Sequence, residues 1–334
     1  MTAESVPDAG PDPGPCAGPR VLRWRPGRPV DVPLHLSALR RGGSDPTFAA
    51  AGGVVWRATR TPEGPATLRV VAVPADGEVE AAAWGPGADW ALAGVPDLLG
   101  AADTDADDFR PLPEHPVLVE AWRRHRHWRL PRSRAVFECL SASALEQVVS
   151  TREAFASWRW LVRRYGEPAP GPANLFVPPT PEQWRRIPSW AWLQAGVELR
   201  RRRVTIAAAP CAAALERTLD VAPAVADRAL RSLPGVGVWT SAEVRARAHG
   251  HADAFSFGDL HVPGEVSFAL TGRVLDDAGC AEAIECYRGH RYRVQRLVML
   301  SGSRRPRTAP RMALPTHTPS RTTPGWRGQR GAAR

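Results

Sequence analysis

Leu233-Pro234-Gly235-Val236-Gly237, a helical run from Val238 to His249, and then Ala254-Phe255-Ser256-Phe257-Gly258-Asp259-Leu260-His261-Val262-Pro263 form the stretch on which the fold turns. Just upstream, Val221, Val225, Ala229 and Leu233 recur every four residues, so the first helix is expected to bury that face until Pro234-Gly235 stops it. In the second helix Trp239, Ala242 and Ala246 are expected inward and Glu243, Arg245 and Arg247 outward, with Gly250 as the stop. The pattern is a helix, a glycine hairpin and a helix. Two glycines in such a hairpin permit backbone conformations closed to other residues, letting amide N–H groups converge at the positive end of the second helix. That arrangement accepts a phosphate without reading base sequence. On the five hairpin residues alone, an ordinary corner between two helices explains the pattern equally well.

Outward from this stretch, the chain changes character near residue 110. Val54–Arg60, Ala66–Val73 and Glu78–Trp84 are short β-prone runs broken by Pro-Glu-Gly and Pro-Ala-Asp-Gly turns, as antiparallel hairpins would be. Asp89 through Leu99, ending at Gly100, reads as an amphipathic helix, and Ala101–Asp108 as an acidic connector. Beyond Pro111 nearly every segment has helical period. The expected helices are Pro116–Trp128, Arg134–Val149, Arg152–Tyr165, Pro181–Arg186, Val197–Ala209, Cys211–Leu219, Pro223–Ser232, Val238–His249 and Cys280–Leu300. Thr180-Pro181 is a strong start, with a hydroxyl N-cap before a proline. The expected class is α+β: a disordered lead (residues 1–20), a small antiparallel sheet domain (21–110), a larger all-α region (111–302) and a disordered basic tail (303–334).

The 334 residues carry 44 cations against 34 acids, a formal net charge of +10, and every cation is arginine. A lysine-free chain excludes Schiff-base chemistry on a side-chain amine. The basic surplus suits a polyanionic partner, and equally the arginine bias of a GC-rich genome. Five scattered cysteines, with no C-x-x-C pair, argue against a disulfide framework or a closed zinc site. No apolar run approaches a membrane span and the acidic, proline-rich start is unlike a signal peptide, so a cytoplasmic monomer is expected, without membrane contact.

The hairpin followed by a Gly-containing apolar loop with a single carboxylate resembles the helix-hairpin-helix DNA glycosylase superfamily, most closely its 3-methyladenine DNA glycosylase II type. The likeness covers roughly residues 20 to 302, including Leu145-Glu146-Gln147-Val148-Val149-Ser150 and Tyr287-Arg288-Gly289-His290-Arg291-Tyr292-Arg293, and its specific part is the hairpin with the Asp loop. It implies a DNA-repair enzyme that flips a damaged base out of double-stranded DNA, with Asp259 as the catalytic carboxylate. It also implies a substrate pocket at Trp239 and Phe257. DNA contacts follow at Leu233, Gly235, Val236, Gly237 and Thr240 of the hairpin, with Gln147 and Val148 inserting beside the flipped nucleotide. Strand-cutting members carry a lysine two positions after the last hairpin glycine; here that residue is Trp239, which implies a monofunctional hydrolase. Iron–sulfur members carry four cysteines beyond the Asp loop, whereas this chain has Cys280 and Cys286, so no metal or other cofactor is expected.

Each role has a structural rival. Asp259 could merely cap the next helix, Trp239 could be a core residue, and Val148 could be buried in a helix. Arg200–Arg203 could grip phosphates or form a solvated helix face, and His125 and His127 read as surface residues. Phe257 stands where relatives often carry proline, and Glu243 where some carry an aromatic, so the pocket is expected to differ from the best-studied type. The rival functions are a non-catalytic DNA-binding protein and a sister glycosylase for deaminated or oxidised bases.

Overall fold

The structure, a computed structural model, describes residues 18–305. The expected disordered lead and basic tail lie almost wholly outside these residues. Five antiparallel strands, β1 (Arg20–Trp24), β2 (Phe48–Ala51), β3 (Val54–Thr61), β4 (Gly64–Val73) and β5 (Glu78–Trp84), form one sheet in the order β1-β5-β4-β3-β2. Leu68 and Val70 of β4 pair with Ala83 and Ala81 of β5, and Val70 also pairs with Val55 of β3. These residues share one face of the pleat and are buried with α1 (Val32–Leu36), α2 (Ala88–Ala93) and α3 (Val95–Leu98) in the first core. The single helix expected over 89–99 is therefore two short ones, interrupted where Gly94 and Pro96 fall.

The helical part comprises α4 (Pro116–Arg124), α5 (Val136–Glu146), α6 (Thr151–Tyr165), α7 (Pro181–Arg186), α8 (Ser189–Gln194), α9 (Leu199–Ala208), α10 (Ala212–Glu216), α11 (Pro223–Arg231), α12 (Val238–Val244), α13 (Val262–Thr271), α14 (Asp277–Ala283) and α15 (Arg291–Ser301). Thr180 caps α7, accepting the Gln183 N–H at 3.0 Å. Three expectations are corrected. The run 280–300 is broken between α14 and α15 around Gly289, which has a left-handed backbone (φ +93°). A two-residue ladder, Glu167–Pro168 with Phe176–Val177, interrupts the otherwise helical region. Finally, α13, expected only as a helix that Asp259 could cap and absent from the expected set, runs over Val262–Thr271 almost wholly buried, its Pro and Gly near the start masking its extent.

Two helical cores result. One surrounds α5, whose residues Val136, Phe137 and Cys139–Leu145 are buried, and includes Trp158 stacked on Trp184, with Trp192 tilted against Trp184. The other joins α4, α13 and α15 with Phe109, Trp128 and Phe255. Between them lies α12, with Val244 in the first core and Ala242 in the second. The five residues that follow its α-helical part, Arg245–His249, widen into a π-helix before Gly250 closes the segment with φ +71°.

Buried ion pairs join the sheet to the helices. Arg57 and Thr59, on one face of β3, hold Glu138 of α5 at 2.7 and 2.6 Å. The acidic connector is likewise docked: Arg293 grips both oxygens of Asp103 at 2.9 and 2.5 Å, and Arg129 bonds Asp107 at 2.5 Å.

Neutral histidines add a pH dependence. His35 accepts the Arg129 backbone N–H at 3.3 Å and shares a 2.6 Å contact with the Asp31 carbonyl, and burial pushes its pKa down from 6.5 to about 4. His249, bonded to Thr218 at 2.9 Å, is pushed down to about 3 by burial, with His251 and Arg132 adding to the shift. Between those values and 6.5 the unfolded chain binds protons that the folded chain refuses, so stability is full above pH 6.5 and falls as the solution is acidified. The upper limit is about 1.4 kcal/mol per pH unit for each histidine. Urea melts at pH 7, 6 and 5 are expected to show a midpoint falling stepwise, and the His35→Phe/His249→Phe double variant a flatter profile.

Candidate active site

The hairpin forms as expected, for reasons the structure refines. Gly235 has φ +82°, and a Cβ there would lie 2.7 Å from Cγ2 of the buried Val204, so both backbone and packing require glycine. Gly237, at the N-cap of α12, has φ −91° and open space around its Cβ position, so its conformation is not closed to other residues. What its lack of a side chain provides is close access to the start of α12, which no side chain caps. Gly235→Ala is expected to cost about 1–3 kcal/mol by backbone strain. Thermal melts check this, and weakened duplex binding should accompany it.

The helices flanking the hairpin are oriented differently from the sequence pattern. In α11 the buried residues are Ala226 and Leu230, whereas Val225 is exposed, as is Val221, which precedes the helix with extended backbone. A four-residue repeat also advances about 40° per step on a helix of 3.6 residues per turn, so within α11 the face that carries Val225 rotates away from the core. In α12, Thr240 through Val244 are all buried, because the helix has a core on either side and no solvent face there. Glu243 is thus inward and 6% exposed. It pairs with Arg247, which also donates to the Ala38 carbonyl at 3.0 Å, and it accepts the Ser256 hydroxyl at 2.5 Å. Although burial opposes its ionised form, Arg247 and Ser256 hold the Glu243 carboxyl below its ordinary range.

These contacts fix the loop that carries Asp259. Ser256 is buried, its N–H donating to Gln295 Oε1 and its Oγ accepting from Gln295 Nε2, both at 3.0 Å. Phe257 packs tilted against buried Phe255, with ring centroids 4.6 Å apart, and is half-buried against the second core. Gly258, at φ +83°, donates its N–H to the Asp277 carboxylate at 3.0 Å. Asp259 Oδ1 accepts the backbone N–H groups of His261 and Val262 at 2.8 and 3.0 Å, and Oδ2 accepts the Trp239 indole N–H at 3.0 Å. The carboxylate therefore both caps α13 and reaches α12. Trp239, half-buried, has its polar edge on Asp259, not the wholly inward placement expected of it.

A second loop meets the same helix. Gln147 donates to the Gly235 carbonyl at 3.0 Å and to Thr240 Oγ1 at 2.8 Å. Val148 is not a buried helix residue: α5 ends at Glu146, and Val148 is 88% exposed with φ +52°, a rare conformation for a β-branched side chain. Leu233 is half-buried and Val236 buried against the first core, so these two support the hairpin. Arg201 is buried and donates to the carbonyls of Leu145 and Gly196, so within the Arg200–Arg203 run it braces the Gln147 loop from behind. Glu243 was singled out in the sequence but expected outward, whereas the roles of Ser256, Gln295 and Asp277 escaped sequence reasoning; the available signals were a serine within an apolar loop and a glutamine amid the apolar residues of α15.

Among the described residues no three His, Cys, Asp or Glu side chains are grouped to hold a metal ion, and no helix is long and apolar enough to cross a membrane. Cys280 is buried, its thiol pushed up to about 12 by burial and by Asp277, and Cys286 is exposed.

No family model matches the chain, and no curated protein sequence does. Solved structures do match. The 3-methyladenine DNA glycosylase from Archaeoglobus fulgidus is similar with a TM-score of 0.69 at 18% identity, over 84% of this chain and 98% of that one. The 8-oxoguanine glycosylase/lyase of Clostridium acetobutylicum is similar in its apo form (TM-score 0.63, 10% identity, 86% of this chain and 99% of that one). Its complex with double-stranded DNA containing cytosine opposite 8-oxoguanine matches with a TM-score of 0.61 at 10% identity, over 81% of this chain and 91% of that one. Over more than four fifths of its length, the chain shares the fold of these solved DNA glycosylases.

Proposed function

We propose that this chain is a monofunctional DNA glycosylase that hydrolyses the N-glycosidic bond of alkylated purines in double-stranded DNA. It leaves an abasic site and opens base excision repair. The observation that carries the reading is the Asp259 carboxylate held by the indole of Trp239, in a chain without lysine. An alkylated purine such as 3-methyladenine or 7-methylguanine is cationic and already a good leaving group. What needs stabilising is the positive charge on the sugar as the bond breaks, and a fixed carboxylate supplies that. As the C1′–N bond breaks, the cationic purine leaves as a neutral base with the bonding electron pair, and water adds to the sugar carbon, losing its proton to solvent or to Asp259.

The other parts take roles consistent with their placement. The uncapped start of α12 after Gly237 receives a phosphate, Gln147 fixes the second loop to the hairpin, and Val148 enters the stack vacated by the flipped nucleotide. Trp239 and Phe257 wall the pocket. A cationic purine is attracted to an electron-rich aromatic face. One chain contributes every group, so a monomer suffices.

Incubation of the purified protein with methylated duplex DNA should release free 3-methyladenine or 7-methylguanine without strand scission, and borohydride should trap no covalent adduct. Tight, salt-sensitive duplex binding with no base release would favour a binding-only protein. The likeness to an 8-oxoguanine enzyme keeps a second lesion class in view, so the substrate panel includes oxidised and deaminated bases.

A further inference from the structure

Consecutive residues of α12 hold two loops. Trp239 bonds Asp259 at 3.0 Å and Thr240 accepts from Gln147 at 2.8 Å. Neighbouring positions on a helix point about 100° apart, so the loops meet the first turn of α12 on different sides. Each loop then presents an aliphatic side chain to solvent at the very next residue, Val148 at 88% exposure and Leu260 at 82%. No other large apolar side chain among the described residues is as exposed as these two. Leu260 has no structural task where it stands. The capping of α13 is done by Asp259, the loop is held by Ser256 and Gly258, and the residue that enters the core is Val262.

We infer that Leu260 is a second aliphatic prong, which packs against the sugar-phosphate of the extrahelical nucleotide while Val148 occupies the gap in the duplex. The partner is duplex DNA with one nucleotide turned out. An intact duplex keeps its sugars in line with the stack, whereas a nucleotide brought to the Asp259 carboxylate must lay its deoxyribose beside the adjoining residue. Leu260 thereby recognises the flipped state, not duplex DNA in general. The sugar offers an apolar C–H face, and the leucine, already exposed, loses water on contact without disturbing the fold.

The inference rests on the proposed glycosylase reading for the position of the nucleotide, and its test is separable from that reading. Binding of the full chain and of Leu260→Ala is measured on an undamaged duplex and on the same duplex with one tetrahydrofuran abasic-site analogue, alongside base release by the full chain. Truncating a side chain that becomes buried should weaken abasic-site binding by about 10-fold, with undamaged-duplex binding unchanged within twofold. Val148→Ala serves as the parallel variant. Equal abasic-site affinity for Leu260→Ala and the parent chain overturns the prong, as does an equal loss on both duplexes. If the prong result holds while the parent chain releases no base, the prong stands and the catalytic reading falls.

Discussion

Asp259→Asn is expected to lose base release by at least about 100- to 1,000-fold, the scale on which one preorganised electrostatic group acts, while binding the lesion duplex close to parental affinity. The geometry makes this substitution informative. An asparagine carbonyl can still accept the His261 and Val262 N–H groups that Asp259 Oδ1 accepts at 2.8 and 3.0 Å, so the start of α13 stays capped. Its amide nitrogen then faces the Trp239 indole N–H, donor against donor, where Oδ2 accepted at 3.0 Å. One hydrogen bond is lost, about 1 kcal/mol, which is too little to unfold a domain with this much buried core. Loss of excision therefore reports the charge and not the fold. Single-turnover release from methylated duplex at saturating enzyme, read beside duplex affinity and a thermal melt, separates the three. Undiminished release would remove Asp259 from the mechanism and leave it as a helix cap.

The parts of this site that were legible in the sequence are those whose demands are local. Gly235 must be glycine for its own φ of +82°, and Thr180 caps its own helix, so each leaves its mark within a few residues. Asp259 was legible through its distance from the hairpin and the likeness this creates. What could not be read is set by surfaces that meet only in three dimensions. A charged residue on a helix is expected at the solvent face, and for Glu243 that expectation fails because α12 has cores on both sides and Arg247, one turn on, is drawn in with it. The valine repeat before the hairpin failed differently: Val221 lies outside α11, and the face that carries Val225 drifts around the helix. Strands β1 and β2 sit at the two edges of the sheet, and Phe48-Ala-Ala-Ala is too short and too alanine-rich to signal a strand without its partner β3.

The second large effect lies at the joint between the two halves. Arg293 is 0% exposed and holds both oxygens of Asp103, whose remaining partner is the Leu130 backbone N–H at 2.8 Å. Replacing one member of such a pair leaves the other charge buried without compensation, so Arg293→Met is expected to lower stability by about 3–5 kcal/mol. Adding Asp103→Asn removes the stranded charge while keeping an acceptor for Leu130, and should recover most of the loss. The coupling between the two positions is then read from urea melts of the parent, both single variants and the double variant. Additive losses would show that the pair does not join the halves. A catalytic readout sharpens the outcome, because α15 also carries Gln295, whose side chain holds Ser256 in the Asp259 loop at 3.0 Å. Positions two apart on a helix lie about 200° apart, so one face of α15 grips the connector and the opposite face grips the catalytic loop. If α15 transmits strain between them, Arg293→Met slows base release well below its melting transition, and Asp103→Asn restores the rate together with the stability. If the two faces are independent, the rate of the folded protein is unchanged and only the melt moves.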